Sequence, residues 1–377
     1  MHGRRFVVLG VVVLVAMGSL APVAALEDVP TQDPHHSNAQ ATGVECSFPL
    51  TVTDDTGTEI TLEDEPDSVV TLAPSAAQTM WEIGAAEKVT GVTQHAANLE
   101  GAEDRTNIST AAQTVEPELV VAEEPDLVLA PSSEYVSEET VNALRESGLT
   151  VHHFESAESI DDVRERTHRI GSLVGECEGT AETVAWMDEE LELVESTIEG
   201  EDRPDVLYTF FGFTAGEGTF IDTIIETAGG TNVAAEAGIE EYAELNEETV
   251  IEMDPDWIVL NTNSPTVPDS PAYDSTTAVE NDQAVIIDVN HLNRPGPRTV
   301  HAVSELAEAL HPDAYAEATE EPDASGDEPD ASGSDRTDER PADGTDAVPG
   351  FGPIATALAV ALLLGAIGAI RQDNTRS

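Results

Sequence analysis

Two stretches of this chain match position by position. The first is Glu118-Leu119-Val120-Val121-Ala122-Glu123-Glu124-Pro125-Asp126-Leu127-Val128-Leu129. The second is Glu248-Thr249-Val250-Ile251-Glu252-Met253-Asp254-Pro255-Asp256-Trp257-Ile258-Val259. In each, a glutamate opens a short helix, Pro-Asp breaks it, and a hydrophobic strand follows. An internal repeat of this kind implies two copies of one supersecondary plan. The surrounding sequence agrees with it. Short β-branched runs alternate with helical patterns, the mark of parallel α/β sheets.

In the first half, Ser68 to Leu72 reads as a strand and Ala73-Pro74-Ser75 as its loop, with Ser75 as helix cap. A helix with Met80, Trp81 and Ile83 inside ends at Gly84. Further strands are expected at Lys88 to Val92, Asp126 to Ala130 and Thr150 to Phe154, and a helix from Ser137 to Ser147. Val44 to Leu62 reads as a hairpin turning at Asp55-Thr56-Gly57. In the second half, strands are expected at Asp205 to Thr209, Trp257 to Leu260 and Ala284 to Asp288. Phe210 to Gly218 reads as a long loop, and helices run from Thr219 to Ala228 and from about Pro297-Arg298 to Leu310. Between the halves, Val184, Met187, Leu191, Val194 and Ile198 recur at helical spacing. Gly171 to Gly179 interrupts that run. The sequence thus predicts an α/β protein of two similar lobes with parallel-sheet cores joined by a long inter-lobe helix. The expected boundaries are 44–158 for the N-terminal lobe, 159–200 for the bridging helix and 201–315 for the C-terminal lobe.

The chain ends carry other information. Arg4-Arg5, an apolar run from Phe6 to Leu20 and small residues up to Ala25 read as a signal peptide over residues 1–25. Residues 26–43 are a polar leader. Residues 316–347 read as a disordered acidic stalk. Residues 348–377 hold Pro349-Gly350-Phe351, an apolar stretch from Ile354 to Ile370, and Arg371 with Arg376. That order reads as a membrane anchor with its basic end in the cytoplasm and the folded part outside the cell. It also resembles the archaeal PGF-CTERM sorting signal, which implies removal of the helix and its replacement by a lipid.

Composition excludes one class of partner. Lys and Arg number 15 against 75 Asp and Glu, a formal net charge of -60, so the chain repels nucleic acid. The acids are spread over the whole sequence, not only the tail, which favours adaptation to molar salt, where the Debye length is about 3 Å. With the sorting signal this implies a haloarchaeal chain. Cys46 and Cys177 show no metal-ligand spacing; an isolated pair in an exported protein points to a disulfide, provided the thiols meet in the fold.

Ligands of open parallel sheets bind outside the carboxyl ends of the strands. The loops expected there are Ala73 to Ser75, Thr93 to His95, Pro131 to Ser133, Phe210 to Gly216, Asn261 to Asn263 and Asn290 to Arg298. They are rich in aromatics and amides and carry arginine, which suits a large polar ligand with flat faces. Arg294 reads as a hydrogen-bond donor into the cleft, and Arg298, at a helix start, as structural. His95 reads as a ligand contact, a surface histidine or a metal ligand. Tyr242 reads as an aromatic wall or a core residue; Phe211 shares that ambiguity. Nucleophile elbows, Walker loops and metalloprotease motifs are missing from the sequence, which favours binding over catalysis.

Val69 to Ser75, then Val89-Thr90-Gly91-Val92-Thr93, then Glu118 through Val128 resemble the class III periplasmic-binding proteins of ABC importers, which serve cobalamin, siderophore and haem uptake. The resemblance covers about Asp67 to Pro312. Arg294-Pro295-Gly296-Pro297-Arg298 is most similar to the cobalamin-binding members, where the first arginine lines the corrin cleft. His95 falls where the family has an aromatic, Tyr242 where it has the second-lobe cleft tryptophan, and the first-lobe tryptophan position falls near Ala112. The resemblance implies a monomeric binding subunit, not an enzyme, with cobalamin as transported ligand, no resident cofactor and no metal. A ferric siderophore or haem is the alternative cargo. Together with the loop reading, Ser75, His95, Phe211, Tyr242, Asn290 and Arg294 are the expected ligand contacts, Arg294 being the one the resemblance implies. Glu118 and Glu248, one per lobe, are implied to pair with arginines of a permease that works with an ATPase subunit; the plain alternative is a helix-start acid favoured by the macrodipole.

Overall fold

The computed structural model describes residues 46–110, 114–133 and 136–319. The expected signal peptide, polar leader, most of the acidic stalk and the C-terminal apolar stretch lie outside the described residues, as does Ala112. Among the described residues no helix is long and apolar enough to cross a membrane.

The first lobe opens with a hairpin, β1 (Leu50–Thr53) and β2 (Glu59–Leu62), paired Leu50 to Leu62 and turned where the sequence predicted. Then come β3 (Val69–Thr71), α1 (Pro74–Glu82), β4 (Val89–Val92), β5 (Thr106–Asn107), α2 (Pro117–Ala122), β6 (Leu127–Pro131), α3 (Glu138–Glu146) and β7 (Val151–Phe154). The five later strands form one parallel sheet in the order β5-β4-β3-β6-β7. Next come α4 (Ile160–Val174) and α5 (Cys177–Ile198). The second lobe holds β8 (Asp205–Tyr208), β9 (Phe213–Ala215), α6 (Phe220–Thr227), β10 (Thr231–Asn232), α7 (Val233–Glu236), β11 (Tyr242–Glu244), α8 (Glu247–Met253), β12 (Trp257–Asn261), α9 (Pro271–Asp274), α10 (Thr277–Glu280), β13 (Ala284–Ile287), α11 (Val289–Leu292), α12 (Thr299–Leu310) and α13 (Pro312–Thr319). Its parallel sheet runs β10-β8-β12-β13. In both lobes the first strand lies between the second and the strand that follows the repeated helix.

The repeat extends to backbone conformation. Glu124 and Asp254, each just before Pro-Asp, both adopt positive φ, 47° and 39°. Proline disfavours the right-handed helical region in the residue before it, so the helix must stop there. The aspartates then do the same work. Asp126 Oδ2 accepts from the Ser68 amide at 2.9 Å, and Asp256 Oδ2 from the Asp205 amide at 3.1 Å. Each carboxylate ties the start of its strand to the start of the neighbouring first strand. Val120 and Val250 bury the inner face of each helix, leaving Glu118 and Glu248 exposed.

Four expectations change. Ser75 does not cap α1; Ala73 occupies the cap, Pro74 takes the first turn, where its missing N–H costs nothing, and Ser75 is buried inside. Trp81 is only partly buried and donates to the Glu100 carbonyl at 2.8 Å. The Phe210 to Gly218 loop contains β9, which pairs antiparallel with β11 as a separate ribbon. The interruption between the helical runs is also shorter than expected. Helix α4 continues through Gly171 to Val174, and only Gly175, at φ 80°, breaks it from α5.

The long inter-lobe helix is α5, and α4 folds back along it. Arg164 pairs with Asp188 at 2.6 Å, while Gly171 lies against Thr180, an antiparallel alignment. Both helices touch both lobes, and α4 contributes to both cores. Ile160 and Val163 at the start of α4 pack into the second-lobe core with Met187, Leu191 and Val194 of α5. Ile170, Leu173 and Val174 at its end pack into the first-lobe core. The start of α5 touches the first lobe through Thr183, whose hydroxyl donates to the Glu82 carbonyl at 3.0 Å. Cys46 and Cys177 form a disulfide at this junction.

Candidate functional site

Segments that follow strand ends of the two sheets meet where the lobes touch. The segment after β13 reaches the first lobe at α1, which follows β3, and at Asn98, which follows β4. Gln78 Nε2 donates to the Asn290 carbonyl at 3.2 Å, and Arg298 Nε donates to Glu82 at 2.6 Å. Arg294 donates from a terminal guanidinium nitrogen to Asn98 Oδ1 at 2.7 Å. The sequence expected Arg294 to donate into a cleft and Arg298 to be structural; here Arg294 bonds Asn98 of the first lobe and Arg298 bonds Glu82. Arg294 is half-buried, and desolvation lowers its pKa to about 10, so it stays charged at neutral pH.

The second lobe exposes several aromatic side chains, Phe211, Phe213 and Tyr242. Phe210 and Phe213 exchange backbone hydrogen bonds of 2.9 Å, so Phe210-Phe211-Gly212-Phe213 is a tight two-residue turn. Its central residues both have positive φ, 49° at Phe211 and 87° at Gly212. Hairpin turns of that kind favour Asn-Gly, because a bulky side chain is strained there. Phe211 is nonetheless held on the tip, 68% exposed, with its ring 4.5 Å from that of Phe210. Backbone strain spent on exposing an aromatic is a pointer to function. Tyr242, on the partner strand of the ribbon, is 56% exposed, yet desolvation pushes its phenol up to about 12.

The same lobe holds a buried polar cluster that the sequence reading missed. The buried Tyr208 hydroxyl accepts from Asn261 Nδ2 at 3.0 Å and Asn293 Nδ2 at 2.9 Å. Asn261 Nδ2 also donates to Asn293 Oδ1 at 2.9 Å. The signal was present in the amide-rich strand ends, but which amides pair is set by tertiary contact. Of the remaining expected contacts, Asn290 turns its side chain to Asp288, 2.7 Å away, and offers only its carbonyl to the first lobe. Ser75 is buried beneath the segment that carries Gly296. His95 sits half-buried in a short 3-10 turn, Gln94–Ala96, after β4.

Two hollows lie elsewhere. One of about 510 Å³, beside Arg203, Trp257 and Gln283, opens at the amino ends of the second-lobe strands, the end where such sheets do not hold ligands. One of about 290 Å³ lies beside Phe154, Arg166 and Arg169 at the first-lobe edge. Among the described residues no cluster of His, Cys, Asp or Glu could hold a metal ion.

Known proteins resemble this chain in sequence and in fold. A cobalamin-binding protein of Halobacterium salinarum is 40% identical over 324 residues, covering 82% of this chain and 86% of that protein. A vitamin B12-binding protein of Vibrio parahaemolyticus is 22% identical over 258 residues, 66% of this chain and 91% of that one. The apo structure of the periplasmic haem-binding protein RhuT from Roseiflexus sp. RS-1 superposes with a TM-score of 0.60 at 24% identity, covering 66% of this chain and 99% of that one. The family model described as periplasmic binding protein matches residues 69–290, from the first strand of the first sheet to the segment that crosses the gap. The chain belongs to the periplasmic binding protein family.

Proposed function

We propose that this protein is the substrate-binding component of an ABC importer, that it binds cobalamin or a related corrinoid outside the cytoplasm, and that it delivers the ligand to a permease. It is a binding protein, not an enzyme. The observation that carries the ligand reading is that the second lobe bears both Arg294, a charged donor where it meets the first lobe, and an aromatic held exposed on a strained turn. A flat macrocycle with polar substituents matches that pair: rings stack on its face and the guanidinium takes its amide or carboxylate oxygens. The 40% identity to a cobalamin-binding protein over most of the chain supports the same cargo. Phe211, Tyr242 and Arg294 are the principal contacts, with His95 on the first-lobe rim and Ser75 and Asn290 shaping the support beneath.

Glu118 and Glu248 are the permease contacts. They are exposed, occupy equivalent positions in the repeat, and stand on short helices whose inner valines are buried. Two acids fixed on rigid lobes suit a partner with two related halves. The C-terminal apolar stretch tethers the protein to the outer face of the membrane, and the binding subunit is monomeric.

Titration at high salt with cobalamin, a ferric siderophore and haem tests the reading. Arg294→Ala is expected to weaken cobalamin binding by about 30- to 100-fold, the loss of a charged hydrogen bond of roughly 2–3 kcal/mol. Equal affinity in variant and wild type removes Arg294 from the site. Tight binding of the siderophore or haem with none of cobalamin replaces the cargo.

A further inference from the structure

We propose that Gln78 is a positioning residue, an amide clamp that holds both ends of the segment Asn290 to Arg298 against the first lobe and so presets Arg294 at the gap. The inference rests on the binding function proposed above. Gln78 lies on α1 and is wholly buried. Its Nε2 donates to the Asn290 carbonyl at 3.2 Å, and its Oε1 accepts from the Arg298 amide at 3.1 Å. One side chain of the first lobe therefore grips a second-lobe segment at its first and last residues. A buried amide is costly unless both its ends are satisfied, and here both are.

The rest of the segment is shaped to fit this grip. A Cβ on Gly296 would lie 2.5 Å from Gln78 Oε1, so any larger residue there would push the amide from its present place on the loop. Arg298 adds a charged contact to Glu82, one turn further along α1. Between the clamped ends, Arg294 reaches Asn98. The chemistry is specific to glutamine. It needs one donor and one acceptor on the same short group, which a hydrocarbon or an ionised carboxylate does not supply. A segment fixed before ligand arrives costs less order on binding, so the clamp acts through preorganisation.

Two variants test it, Gln78→Leu and Gln78→Glu, each in the full chain at high salt. Hydrogen exchange is read in the ligand-free protein and ligand dissociation is read by stopped flow. In Gln78→Leu the Arg298 amide is expected to exchange at least tenfold faster, and cobalamin to dissociate about tenfold faster. In Gln78→Glu the ionised carboxylate cannot donate to Asn290, and binding weakens. At acid pH the protonated carboxyl donates to Asn290 and accepts from Arg298, and affinity relative to wild type at the same pH recovers. A packing role alone would not produce that recovery. Unchanged exchange in Gln78→Leu, or no recovery in Gln78→Glu, overturns the clamp; should Gln78→Leu not fold, the pH profile of Gln78→Glu decides. A wild type that binds none of the ligands sinks the binding reading alone, and the clamp is then judged on exchange.

Discussion

The two lobes share a plan and differ in what they do with it. The first has five parallel strands, a hairpin sewn to its edge and a disulfide. Asp54 in that hairpin is buried; it accepts from the Thr56, Thr58 and His153 amides and pairs with Arg145. Desolvation pushes its pKa up, but these hydrogen bonds and the arginine outweigh it and hold the carboxyl below its ordinary range. The second lobe has four parallel strands and adds the aromatic ribbon and the arginine segment. One copy of the repeat became the anchored half and the other the half that displays side chains. A duplicated scaffold leaves each copy free to specialise as long as the strand-start contacts are kept.

The largest expected effect is on the anchored half. Cys46→Ser opens a link between residues 131 positions apart. The chain-entropy relation puts its contribution at roughly 4–5 kcal/mol as an upper value. Denaturant unfolding should show the loss, with exchange protection falling first in the first lobe. Equal loosening of both lobes would break the contrast.

Next comes pH. His152 is buried, with neither ring nitrogen hydrogen-bonded within the described residues. Desolvation, with Arg169 nearby, lowers its pKa to about 4. The unfolded chain takes up that proton near pH 6.5, the folded chain only near 4. Stability is therefore full above about 6.5, falls toward 4 and flattens below, by about 3 kcal/mol in all. His152→Phe should remove that slope in calorimetric melts from pH 4 to 7. His301 in the second lobe is also shifted down, by desolvation and then His291, so part of the slope persists.

The two glutamates sharpen the comparison from outside. Glu118→Gln and Glu248→Gln should each cost roughly 2 kcal/mol in binding to the transporter and leave ligand affinity intact. Stimulation of ATPase activity by the loaded protein measures this. If only one variant matters, the lobes dock unequally. The smallest effect is at the strained turn. Phe211→Asn should stabilise the fold by about 0.5–1 kcal/mol, since asparagine tolerates that backbone. Cobalamin affinity should fall at the same time. A fall in both would mean that Phe211 packs and does not bind.

Much of this was legible in the sequence because repeats and alternation are local signals. Pro125-Asp126 and Pro255-Asp256 mark where two strands begin, and Arg294 stands out in a chain poor in basic residues. The ribbon was missed because Phe213 to Ala215 is too short to show alternation, and it exists only through pairing with Tyr242 to Glu244. Gln78 was missed because its partners lie 212 and 220 positions away. A glutamine inside a helix gives no sign that it is buried.

The paired helices α4 and α5 have a consequence for how the molecule can be taken apart. The polypeptide leaves the first lobe after Phe154, contributes Ile160 and Val163 to the second, returns with Ile170 to Val174, and crosses again along α5. A fragment ending at Glu158 would lack part of its own interior, and one starting at Glu201 would lack Met187, Leu191 and Val194. Neither half is expected to fold as a free-standing unit, and grafting one lobe onto a relative would have to carry the whole laced segment with it.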